Sequence, residues 1–127
     1  MGDFAMGLFN TTAFRVLEQG LHYTAENKKV ITHNIANVDT PEYKSKYLHF
    51  SGVLRDKMNE KHKFKKELHL RINDVYVDEI TKGQPDGNNV DYEVQAAMLK
   101  NNALHQEAII VHLEGQFNSL RAAMRKN

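Results

Sequence analysis

The residues whose types could do chemistry are seven histidines, a lysine-rich run and two asparagine-rich stretches. A metal site on a helix needs His at a spacing of three or four, or His converging with carboxylates. His105 and His112 stand seven apart, as do His62 and His69, and no pair is four apart. Two helical turns would hold His105 and His112 about 10 Å from each other, too far for one ion. The stretch "PDGNNVD" lacks the acid spacing and the bidentate Glu of a calcium loop, and fits a turn followed by a helix cap. A basic cluster of Arg55, Lys57, Lys61, Lys63, Lys65 and Lys66 could touch phosphates. It is interspersed with Asp56, Glu60 and Glu67 and carries a single aromatic, Phe64, which argues against nucleic-acid binding. There is no glycine-rich phosphate loop, nucleophile elbow or placed carboxylate pair. The expectation is no enzyme, no cofactor and no metal.

The remaining candidate is "HNIANVDTPEYK", residues 33–44. Asn tolerates the left-handed conformation that closes helices, and Pro suits the second position of a turn. Asn34 and Asn37 therefore end a helix, and Thr40 and Pro41 start a turn. That accounts for these residue types, but gives no reason for Tyr43 and Lys44 to follow.

Composition limits the rest. The 17 basic and 16 acidic residues leave a net charge of +1, without the basic excess of a nucleic-acid or anionic-membrane binder. No cysteine is present, so disulfides, thiol catalysis and zinc–thiolate sites are excluded. No apolar run is long enough for a membrane span. The start, "MGDFAMGLFN", has an acid, no base and no continuous apolar core, unlike a cleaved signal peptide. A protein of this kind working outside the cytoplasm would leave by another route.

The positioning elements are two amphipathic segments at the ends. In the first, expected over 11–37, Phe14, Leu17, Leu21, Thr24, Lys28, Ile31 and Ile35 recur at steps of three and four, with Lys28 the interruption. Asn10, Thr11 or Thr12 could cap it, and it should end near Asn37, ahead of Pro41. The second, over 91–126, opens on Asp91 as N-cap with Glu93 in the first turn, where the helix dipole favours an anion. Its stripe is Tyr92, Ala96, Leu99, Ala103, Gln106, Ile110, Leu113, Phe117, Leu120 and Met124, widened on the flank by Val94, Met98, Leu104, Ala108 and Val111.

Between them, 38–90 is mixed. "FSGVLRDKM" could form one or two helical turns capped by Ser51. "RDKMNEKHKFKKE" is a charged run without a face. "LHLRINDVYV" alternates around Asn73 and Asp74, a weak hairpin signal. "KGQPDGNN" is a turn or linker. The expected fold is one domain, mainly α: two long terminal helices packed antiparallel as a coiled-coil-like hairpin, joined by a short mixed loop and β-hairpin segment. One pairing covers one stripe, and the flanking apolar residues of the second helix call for a further neighbour.

"NIANVDTPEYK" resembles the N-I-A-N-x-x-T-P-G-Y signature of the flagellar rod, hook and hook–filament junction proteins. "DGNNVDYEVQAAMLKNNALHQEAIIVHLEGQFNSLRAAM" is similar to that family's C-terminal helix, and the short chain points to its proximal rod members. The resemblance covers residues 14–47 and 86–124. It implies a structural subunit of the bacterial basal body, exported without a cleaved signal and stacked in the periplasm as a hollow helical rod that passes torque to the hook. Its partners would be other rod proteins, its own copies, and the basal-body base with its export apparatus, without nucleic acid or direct membrane insertion. Leu17, Leu21, Ile31, Ile35, Leu99, Ile110, Leu113, Phe117, Leu120 and Met124 would form assembly seams. Asn34, Asn37, Thr40, Pro41, Glu42, Tyr43 and Lys44 would set the loop. Where the family carries Gly after the proline, this chain has Glu42. A positive backbone angle there is costly for Glu, so a type I or open turn is expected. The alternative reading is a stand-alone helical adaptor.

Overall fold

The computed structural model describes residues 12–49 and 75–125. Two helices and two short strands follow in order: α1, Thr12–Ala36; β1, Lys46–Leu48; β2, Val75–Val77; and α2, Tyr92–Arg125. With 34 residues, α2 runs about 51 Å. Its start is fixed by Asp91, whose Oδ1 accepts the backbone N–H groups of Glu93 and Val94 at 3.0 and 3.3 Å. The possible cap at Ser51, the charged run with its basic cluster, and the first arm and turn of the hairpin expected around Asn73 and Asp74 lie outside the described residues.

α1 and α2 pack antiparallel. Contacts descend in opposite order along the two chains: Asn34 meets Gln95, Asn27 meets Asn102, and Ile109 closes on Gly20. The seam follows the three-and-four spacing of a coiled coil. On α1 it comprises Leu17, Gly20, Thr24, Asn27, Ile31 and Asn34. On α2 it comprises Gln95, Leu99, Asn102, Gln106, Ile109 and Leu113. All of these are buried or half-buried.

This seam differs from the stripes read by periodicity at alternate layers. Leu17, Thr24, Ile31, Leu99, Gln106 and Leu113 belong to both. Leu21, Lys28, Ile35, Ala96, Ala103 and Ile110 lie beside the seam, and Gly20, Asn27, Asn34, Gln95, Asn102 and Ile109 take their layers. The reason is chemical. A search for apolar recurrence passes over amides, yet an amide facing an amide can be buried once both are hydrogen-bonded. Among the described residues the buried apolar side chains are Ile31 and Val90, whereas Gln19, Thr24, Asn34, Ser45, Asn88, Asn89, Gln95 and Asn102 are buried polar ones. No buried side-chain nitrogen or oxygen among them lacks a partner.

The strands pair antiparallel, with Lys46 opposite Val77, Tyr47 opposite Tyr76 and Leu48 opposite Val75. The Tyr47 and Tyr76 rings stack at 5.6 Å, a cross-strand contact of the kind that adds a few tenths to about 1 kcal/mol. Tyr23 of α1 donates its hydroxyl to the Leu48 carbonyl at 3.4 Å, tying β1 to the helix.

The loop after α1 corrects one expectation. Tyr43 N–H donates to the Thr40 carbonyl at 3.3 Å, closing a turn with Pro41 and Glu42 at its centre. Glu42 has φ of 62°, the left-handed angle that a type I turn excludes. What holds it there is tertiary: Glu42 N–H donates to the Asp86 carbonyl at 3.0 Å, while the Asn88 side chain holds the Thr40 carbonyl at 2.7 Å. The left-handed angle costs a side-chain-bearing residue roughly 1–2 kcal/mol, and glycine gives back part of that as chain entropy. Glu42→Gly is therefore expected to stabilise the fold by about 0.5–1 kcal/mol, read as a higher urea midpoint at unchanged slope. A loss of stability would show that the Glu42 side chain contributes more than its backbone costs.

Candidate functional site: the joint between the terminal helices

Asn34 sits at the centre of the joint, in the last turns of α1, and is fully buried. Its Nδ2 donates to the Lys46 carbonyl at 2.8 Å and to Gln95 Oε1 at 3.1 Å. Its Oδ1 accepts from Lys46 N–H at 3.0 Å and from the Tyr43 hydroxyl at 3.0 Å. The side-chain amide thus pairs with Lys46 as a neighbouring strand would, and joins α1, β1 and α2 in one residue. Because Lys46 offers one donor and one acceptor, the amide orientation is fixed by its partners.

The proton bookkeeping extends outward from there. The Tyr43 hydroxyl spends its hydrogen on Asn34, so in its contact with His33 Nδ1 at 2.8 Å the imidazole N–H is the donor, which selects the Nδ1–H tautomer. Burial raises the Tyr43 pKa above the ordinary tyrosine value, which keeps this donor neutral. Asn37 closes the helix. Its Nδ2 donates to the His33 carbonyl at 2.8 Å and its Oδ1 accepts the Thr40 hydroxyl at 3.1 Å. Pro41 is exposed at the turn. Lys44 reaches across to donate its ammonium to the Gly87 carbonyl.

Two further asparagines, passed over when "KGQPDGNN" is read as a turn or linker, complete the joint. Asn88 donates to the carbonyls of Asn37 at 2.8 Å and Thr40 at 2.7 Å, and accepts Val90 N–H at 2.8 Å. Asn89 accepts Ser45 N–H at 2.6 Å and donates to the Asp78 carbonyl at 2.7 Å. Asp78 caps its own turn, accepting Ile80 and Thr81 N–H at 3.0 Å each. Hydrogen bonds from Thr81, with Lys44 nearby, hold its carboxyl below the usual range. A signal for the seam amides Asn27, Gln95 and Asn102 was present: Asn27 stands seven before Asn34, and Gln95 seven before Asn102, which is heptad spacing.

The joint is therefore a fastener built of amides and backbone. Every buried amide is engaged, and the arrangement fixes the angle and register between α1 and α2. Of the proposed interface residues, Leu17, Ile31, Leu99 and Leu113 face into the helix pair, and Leu120 is half-buried further along α2. Leu21, Ile35, Ile110 and Phe117 fall on one common side. The register sets Leu21 opposite Ile110, and Phe14 meets Phe117 edge-to-face with centroids 5.9 Å apart. Ile110, Phe117 and Met124 remain substantially exposed. The opposite side carries a cavity of about 500 Å³ bordered by Val16, Gly20, Tyr23, Met98 and His105. No helix among the described residues is long and apolar enough to cross a membrane.

The chain is similar to the flagellar basal body rod protein FlgB of Bacillus subtilis (strain 168). The two are 32% identical over 126 residues, covering 94% of this chain and 97% of that relative. No family model matches the sequence.

Proposed function

Because this chain belongs to the FlgB family of flagellar basal body rod proteins and is a structural subunit of that rod, not an enzyme, we propose how it is held there. Neighbouring subunits, both its own copies and other rod proteins, pack against the side of the helix pair that carries Leu21, Ile35, Ile110 and Phe117. Leu120 and Met124 extend that contact along α2. The amide joint fixes the angle between the terminal helices, so that torque passing along a proximal rod does not change it.

One observation carries this reading. Among the described residues the buried apolar side chains are Ile31 and Val90, while Ile110, Phe117 and Met124 on one long helix stay 40–55% exposed. With so little apolar burial among the described residues, the helix pair gains by covering these side chains against neighbours, at about 25 cal/mol per Å². Repeated in every subunit, even about 2 kcal/mol per buried isoleucine decides whether a rod forms.

Ile110→Asp, as the sole copy in a flagellated strain, should abolish motility and rod formation, while the purified chain keeps its helical circular dichroism. Ile110 is a better probe than Leu113, because Leu113 also packs within the helix pair and Asp there would strike both. A motile Ile110→Asp strain with intact rods would overturn the assignment of this side as the interface.

A further inference from the structure

α2 carries a second row at the same three-and-four spacing: Ala97, Asn101, Leu104, Ala108, Val111 and Gly115, all exposed and turned away from α1 except Asn101, which also lines the cavity beside α1. Leu104 and Val111 are 58% and 61% exposed and border a shallow concavity with Ala108. Gly115 is the informative member. Glycine is the poorest helix former after proline, and a glycine inside a helix usually has a packing reason. Gly20 has one in the fold, since a Cβ there would come within 2.9 Å of Ile109 Cδ1. A Cβ at Gly115 would meet nothing within 4 Å among the described residues. Nothing among the described residues requires its absence.

We propose that this face binds the same face of a second copy of the chain, with the two α2 helices antiparallel. The row is self-complementary when reversed. Leu104 meets Ala108 of the second copy, Val111 meets Asn101, and Gly115 meets Ala97, so each larger side chain faces a smaller one in symmetric layers. Such a contact is isologous and closes as a two-fold dimer.

Charge selects both the partner and the direction. Glu93, Lys100, Glu107, Glu114 and Arg121 form a row every seven residues along one edge of this face. Among the described residues the ion pair within the chain is Lys29 with Glu26 on α1, and it involves no member of this row. Reversed against itself, the row sets Glu93 against Arg121 and Lys100 against Glu114, each twice, with only Glu107 meeting its own copy. Parallel pairing would instead bring this row against Met98, His105 and His112, where it finds no carboxylate for Lys100 and no lysine or arginine for the glutamates. Complementary flanking charges of this kind set partner and orientation in paired helices.

Sedimentation velocity of the full chain across concentration tests the proposal. A monomer–dimer equilibrium is expected. K100E and E114K should each weaken it by about tenfold, since two attractive pairs become repulsive. The double variant K100E/E114K should recover the original affinity. G115L should abolish the dimer while helical circular dichroism is kept or raised. In this cysteine-free chain, E107C alone should form an intermolecular disulfide and K100C alone should not. A chain that stays monomeric at about 1 mM, a level at which even weak millimolar association would show, overturns the proposal. A dimer indifferent to the charge swaps, or one that the double variant does not restore, overturns it equally. None of these outcomes depends on incorporation into the rod, so the result stands apart from the Ile110→Asp test.

Discussion

Replacing Asn34 with alanine should cost about 3–5 kcal/mol of folding stability, a large share of the roughly 5–15 kcal/mol typical of a domain. The estimate follows from what the substitution strands. Lys46 loses partners for both its N–H and its carbonyl, and Gln95 and Tyr43 each lose one. A buried polar group left unpaired costs roughly 1–3 kcal/mol, and water entering the vacated space recovers only part of that. The loss would be read from urea unfolding followed by circular dichroism. Asn34→Asp separates the two halves of the amide, because it keeps the acceptor for Lys46 N–H and Tyr43 while removing both donors. It should fall between wild type and alanine. An alanine variant within about 1 kcal/mol of wild type would mean that this amide is not what fastens the joint.

The layer at Asn27 and Asn102 should show the second large effect, as non-additivity. Asn27 donates to Asn102 Oδ1 at 3.0 Å, and Asn102 donates to the Thr24 carbonyl at 2.8 Å in a buried position. Leucine at either position alone leaves an amide facing hydrocarbon, at a cost of about 2 kcal/mol. Leucine at both removes the unpaired group and adds apolar burial, so the double variant should return to wild-type stability or exceed it. The coupling in the double-mutant cycle is then about 2–4 kcal/mol, well beyond the additivity of independent sites. A single buried polar layer also specifies alignment in paired helices, at a cost in stability. In the double-leucine chain the intact Asn34–Gln95 joint should still hold that alignment, so a single set of side-chain resonances is expected. Additive single-site losses would refute the layer as a coupled unit.

Much of this organisation was legible in the residues. Asp91 and the steps of three and four defined α2, and Asn37 ahead of Pro41 marked the end of α1. The resemblance carried by "NIANVDTPEYK" led to the rod. The seam was half visible: Leu17, Ile31, Leu99 and Leu113 are where apolar periodicity puts them, but Asn27, Asn34, Gln95 and Asn102 are not. Periodicity weighs each residue by its own hydropathy, whereas the burial of an amide depends on whether a second amide faces it, which is a property of two distant positions. Glu42 was misjudged for a related reason. Local cost argued against a positive φ, and the restraint that overrides it comes from Asp86 and Asn88, more than forty positions away. β1 likewise pairs with Val75–Val77, a partner far along the chain that no local turn signal announces.

The amide seam has a thermal consequence. The heat capacity of unfolding rises with the apolar surface exposed and falls with the polar surface exposed. A helix pair whose seam is half Asn, Gln and Thr releases less of the first and more of the second when it opens. Its heat-capacity increment should lie below the usual 12–15 cal/mol/K per residue, and its stability curve should be correspondingly flat. The free subunit would hold a modest but nearly constant grip on its own shape from cold to warm. The steep temperature dependence would then belong to the rod, where the exposed apolar residues of α2 leave water.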